Sequence, residues 1–192
     1  MRPSTLCCAG SPDLVVPQAP LLTDLVVPQA PLLTDLVVPQ APLLTKLNGM
    51  TEYDLQRFVD AQDPVWKAVT QELKAGRKQT HWMWFVFPQL TGLGRSATAQ
   101  HFGIADLTEA ELFLSHEVLG PRLRKAARLT VGVEGRTVDE IFGYPDNLKL
   151  HSSMTLFAEA TEGESVFGEV VQKYFDGEFD GATLDLLDER YR

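Results

Sequence analysis

From about residue 50 onward, apolar positions recur at steps of three and four, the period of helices that bury one face. Leu55, Phe58 and Val59 share such a face, and Thr51 is the expected N-cap. Val65, Val69 and Leu73 follow at four-residue steps. They lie behind Asp63-Pro64, a cap with proline at the first helical position, and Gly76 ends that helix. Thr108 and Glu111 have capping-box spacing ahead of Leu112, and Thr137 and Glu140 repeat it. Leu119, Leu123, Ala126 and Ala127 mark an amphipathic helix with Arg122, Arg124, Lys125 and Arg128 on or near its other side. Pro145 opens a helix whose buried stripe is Leu150, Met154, Phe157 and Ala158. Two short helices, separated by Gly177 and Gly181, complete the chain, and no β-hairpin pattern interrupts the series. The pattern predicts an all-α fold for residues 50–192, a compact single-domain array of short helices.

Residues 1–49 read differently. Three identical copies of DLVVPQAPLLT start at Asp13, Asp24 and Asp35. Eleven residues is too short for a helical solenoid repeat. The two prolines in each copy block a helix and a central strand, because proline has no N–H to donate. This segment is expected to be a disordered, Pro-rich N-terminal extension, extended or polyproline-like, with a PxxP ligand as the alternative reading. Identical copies suggest recent tandem duplication, and Met50 is the expected natural start.

The stretch richest in chemistry is Thr80 to Ser96, THWMWFVFPQLTGLGRS. His81, Met83, Trp84, Phe85, Val86 and Phe87 predict a short, almost wholly buried helix that Pro88 ends or kinks. Trp82 and Trp84 read first as core packing, with a stacking platform as the alternative. His81, at the polar edge, is a candidate general base or a structural histidine. Gln89 has an amide suited to reading a ligand edge. Gly92-Leu93-Gly94-Arg95-Ser96 is a turn leading into a helix; it reads as an anion site beside Arg95 or as a plain capping turn. With Ala97 it matches G-x-G-x-x-A, but no βαβ unit surrounds it, so a dinucleotide fingerprint is rejected. Asp146, Lys149 and Ser153 form a second polar group at i, i+3 and i+7, beside His151 and Ser152. Such a face must pair internally or line a pocket, because burying it unpaired costs free energy. A His81–Asp146 base-and-orienter pair is one arrangement open to these residues.

Charge narrows the partners. The 192 residues carry a formal net charge of -9, which argues against non-specific binding to nucleic acid or anionic membrane. No apolar run reaches the roughly 20 residues of a membrane span, and no signal peptide is evident. Cys7 and Cys8 are the only cysteines, consistent with a cytoplasmic location. The four histidines are far apart and lack metal-ligand spacing, so neither a metal nor another cofactor is expected.

Three motifs in order, HWMWFVFPQLTGLGRS, LGPRLRKAARL and IFGYPDNLKLHSSMTLF, resemble the bacterial family of uncharacterised proteins catalogued as domain of unknown function 1810. Its members are sometimes labelled calpastatin. The resemblance covers about Thr51 to Phe175 and implies an all-α, single-domain cytosolic protein. It supplies no catalytic residue. A more distant similarity in style, without motif-by-motif alignment, is to the ADP-ribose-processing glycosidases abbreviated NADAR.

These readings lead to a pocket between the His81–Ser96 segment and the Asp146–Ser153 helix. It would take a small anionic ligand of nucleotide or ADP-ribose type. For hydrolysis, His81 or Asp146 would be the base. Lys149 and Arg95 would hold the anion, Trp82 or Trp84 would stack, and Gln89, Gly94, Ser96 and Ser153 would line the site. The competing reading is a non-catalytic interaction or homodimerisation module that uses the basic helix around Arg122–Arg128.

Overall fold

The structure, a computed structural model, describes residues 53–161 and 165–190. The repeats, Cys7, Cys8, Thr51 and the boundary near Met50 lie outside the described residues. The fold is all-α. Among the described residues there are ten helices and no strand: α1 Gln56–Gln62, α2 Trp66–Lys74, α3 Met83–Val86, α4 Ala97–His101, α5 Leu107–Ser115, α6 Leu119–Val131, α7 Val138–Phe142, α8 Asp146–Glu159, α9 Ser165–Tyr174 and α10 Gly181–Arg190.

α8 is the axis of the array, packing against α3, α5, α7, α9 and α10. The sequence predicts one buried stripe on it. In the fold every residue from Ser152 to Ala158 is buried, because neighbours surround this part of the helix. Its hydroxyls therefore need partners. Ser152 donates to the carbonyl of Leu148 and to Asp180, and Thr155 Oγ1 accepts from the Asp180 amide. A second layer is built on α6, which buries Leu119, Leu123, Ala126 and Ala127 against α2, α5 and α9.

Side chains cap some of the helices, Ser96 on α4, Asp106 on α5 and Thr137 on α7. Thr137 and Glu140 form the expected capping box of α7. α5 starts earlier than its predicted box. Asp106, not Thr108, accepts from the Glu109 amide, and Glu109 reaches back to the amide of Ala105. Glu109 is buried and also takes Arg57 at 2.7 Å, so the tertiary ion pair selects this register. Asp63 does not cap α2; its carboxylate takes Arg122 at 2.8 Å.

Two contacts place the central stretch. Glu72, on α2, accepts from the amides of Gln79 and Thr80, the Thr80 hydroxyl and the Trp82 indole N–H. This draws residues 79–82 onto α2 and shortens the predicted buried helix to four residues. Beyond Pro88, the amide of Thr91 donates to Ile104 and the amide of Ile104 donates to Gln89. These bonds tie both ends of the glycine turn and α4 to the core.

Candidate functional site

The glycine turn and the start of α8 face each other across a pocket of about 460 Å³. The turn side contributes Trp84, Gln89, Leu93, Gly94, Arg95, Ser96 and Ala99. Pro145, Leu148, Lys149 and Ser152 come from the α8 side, and Asp180 and Ala182 from the start of α10.

The turn has this shape because Gly94 lies against α4. A Cβ on Gly94 would meet the Ala99 Cβ at 2.4 Å, so only glycine lets the chain approach so closely. Ser96 caps α4 by accepting from the Ala99 amide, which leaves its hydroxyl hydrogen free to donate. Arg95 is exposed, and among the described residues no hydrogen bond or ion pair engages its guanidinium.

Lys149 is held in place from two sides. Its ammonium donates to Asp146 Oδ1 at 2.7 Å and lies 4.4 Å from the centre of the half-buried Trp84 ring. Asp146 Oδ2 takes Lys78 at 2.6 Å. Lys78 in turn donates to the carbonyl of Thr80 and lies over Trp82. Burial alone would raise the Asp146 carboxyl. Hydrogen bonds from Lys149 and Lys78, with their charges, outweigh that and hold it below its ordinary value. One ionised carboxylate thus serves two ammonium groups, leaving an excess of positive charge behind the pocket wall.

The far wall is Asp180. Its Oδ2 accepts from Ser152, from the Thr183 amide and from the Thr183 hydroxyl. His151 braces the loop before it. Its ring stacks on Phe175 at 4.0 Å, and its Nε2 lies 2.6 Å from the Glu178 carbonyl oxygen.

The family described as "Protein of unknown function (DUF1810)" matches residues 52–187. The chain belongs to this family. The crystal structure of the conserved hypothetical protein Rv1873 from Mycobacterium tuberculosis is similar to it, with 54% identity and a TM-score of 0.70. That match covers 71% of this chain and 97% of the other. No curated protein matches the chain.

Of the residues singled out in the sequence of this family member, Trp84, Gln89, Gly94, Arg95, Ser96 and Lys149 line the pocket. Four do not. Trp82 is buried in the core, with Phe87 and Phe142 around it and its indole N–H on Glu72. That environment leaves it no face for a ligand. Ser153 is fully buried on α8, and its hydroxyl has no hydrogen-bond partner; Ser152, one residue earlier, faces the pocket instead. His81 is exposed and outside the pocket. Asp146 stands behind Lys149 rather than on the pocket wall, and both its oxygens are taken by lysines. Among the described residues the His81–Asp146 pair is not formed.

Asp180 and Leu148 went unmarked in the sequence. Asp180 with Thr183 has the spacing of an N-cap and its N3 residue, a signal that finds a helix start but not a pocket. Among the described residues no helix is long and apolar enough to cross a membrane, and no cluster of His, Cys, Asp or Glu could hold a metal ion.

Proposed function

We propose that this protein binds a small anionic ligand of nucleotide or ADP-ribose type in the pocket between the glycine turn and α8. One observation carries the proposal. Arg95, without a protein partner among the described residues, and Lys149, one of two lysines sharing Asp146, line the same pocket of a chain with net charge -9. Charge-assisted bonds from two such groups suit a phosphate or pyrophosphate. Trp84, Leu93, Pro145 and Leu148 supply apolar wall for a base or sugar ring. Leu148 is 52% exposed, so apolar surface at the mouth is there to be covered. Gln89 and Ser96 add donors. A cytoplasmic location goes with this reading.

Binding is the function proposed, not hydrolysis by the bases considered from the sequence, because His81 is outside the pocket and Asp146 is committed to two lysines. A partner-binding face on α6 has weaker support. Arg122 is held by Asp63 and lies over Trp66, and Arg124 donates to the Leu114 carbonyl.

Thermal unfolding tests the proposal. A ligand at a hundred times its Kd stabilises the folded state by about 2.7 kcal/mol, which raises the midpoint of a domain this size by roughly 5–10 °C. ADP-ribose, NAD or a nucleoside phosphate should give such a shift in the wild type, and Arg95→Glu should abolish it. If saturating amounts of all of them leave the wild-type midpoint unmoved, the anion-pocket reading fails.

A further inference from the structure

The pocket contains a group that a plain anion site would not favour. Asp180 places a carboxylate in the cavity that Arg95 and Lys149 line. An acidic side chain facing a phosphate repels it, and the repulsion is stronger in a half-enclosed site than in water. Asp180 also has an asymmetric environment. Ser152 and Thr183 all bond to Oδ2, whereas Oδ1 accepts nothing among the described residues.

The carboxylate is rigidly placed. Oδ2 caps α10, the Asp180 amide donates to Thr155 Oγ1, and the preceding loop is braced by His151 on Phe175 and Glu178. Ser152 and Thr155 belong to α8, the helix that also carries Lys149. The cation and the free carboxylate oxygen are therefore set by one rigid element, an arrangement that fixes the spacing of two unlike groups on a ligand.

We infer that Asp180 Oδ1 accepts hydrogen bonds from a vicinal diol, so the ligand class is a phosphate ester of a sugar rather than a bare phosphate or pyrophosphate. A carboxylate oxygen accepts from adjacent ring hydroxyls, the contact by which acidic residues select ribose elsewhere. A site built for a hydroxyl disfavours the analogue that lacks it, because the half-buried acceptor then loses that partner. This rests on the anion-pocket reading above and adds the specificity-determining residue for it.

Asp180→Asn is the informative variant. Asparagine caps a helix about as well as aspartate, so α10 keeps its start while the unpaired acceptor becomes an amide N–H₂. Asp180→Ser, another good cap, removes the second oxygen altogether. Calorimetric titration of the full chain uses ribose 5-phosphate, 2-deoxyribose 5-phosphate, ADP-ribose and pyrophosphate. In the wild type, loss of the 2-hydroxyl should weaken sugar phosphate binding about tenfold. In both variants that difference should vanish. ADP-ribose should bind about tenfold more weakly to them, and pyrophosphate as tightly as before or tighter.

Equal affinities of wild type and variants for ribose 5-phosphate and ADP-ribose would overturn the assignment, as would an equal loss for pyrophosphate. Those outcomes leave the anion pocket standing, provided Arg95→Glu abolishes pyrophosphate binding. If no probe binds the wild type, both readings fall together.

Discussion

Replacing Asp146 by asparagine tests how the positive wall of the pocket is built. Asp146 is the one carboxylate between Lys78 and Lys149, whose side chains are only 7% and 19% exposed. With it neutralised, two ammonium groups remain close together and poorly solvated. Breaking a fully buried pair by removing one partner costs about 3–5 kcal/mol. Here Asp146 is 16% exposed, and Lys78 keeps the Thr80 carbonyl, so a loss of about 2–3 kcal/mol is expected. With a urea m-value of about 2 kcal/mol/M, the midpoint should fall by roughly 1–1.5 M. Adding Lys78→Met to Asp146→Asn should recover at least about 1 kcal/mol, because removing one of the two ammonium groups leaves less charge uncompensated. The pH arm has a fixed sign. The folded-state Asp146 carboxyl lies below its ordinary 3.8, so its contribution is present above pH 3.8 and is lost as pH falls through the lower folded value. The gap between wild type and variant should therefore close below pH 3.8. A loss under about 0.5 kcal/mol at neutral pH, the level of an exposed surface pair, would refute the reasoning.

Two further predictions concern the elements that place the pocket. Glu72→Gln keeps the shape but removes the charge that gathers residues 79–82 and the Trp82 indole, and should cost about 2 kcal/mol in chemical denaturation. Burial works to raise the Glu72 carboxyl, but these hydrogen bonds hold it below 4.5, so the difference from wild type should disappear as pH falls below that value. Gly94→Ala forces a Cβ into the Ala99 methyl and should cost about 1–3 kcal/mol, with part restored in the Gly94→Ala, Ala99→Gly double variant by the same denaturation assay.

The fold was largely legible in the sequence because its helices carry their own signals. Thr137 and Glu140 made the box their spacing announced, and Leu119, Leu123, Ala126 and Ala127 went inward as their period required. Departures occurred where a tertiary partner outbid a local one. Asp63 went to Arg122, and Glu109 was drawn to Arg57, which moved the start of α5. The same cause limited the reading of the site. Periodicity groups Asp146, Lys149 and Ser153 on one face, but only the packed array shows that Ser153 is enclosed while Lys149 and Ser152 line the pocket. Trp82 and Trp84 are two residues apart and chemically alike. Glu72 on α2 takes the first, Lys149 on α8 covers the second, and both partners are distant along the chain. Asp180 could not be placed in the pocket from its own neighbours, since that placement depends on Ser152 and Thr155 more than twenty residues earlier.

The most direct test of the anion pocket is a ¹H–¹⁵N NMR titration of the full chain with ADP-ribose. Saturable shifts are expected at the Trp84 indole N–H, at the amides of residues 89–96 except those that stay at the tied base of the turn, and at Lys149 and Ser152, while α6 stays unchanged. Shifts centred on Arg122 to Arg128, or no saturable shift at the turn and the start of α8, would contradict the account.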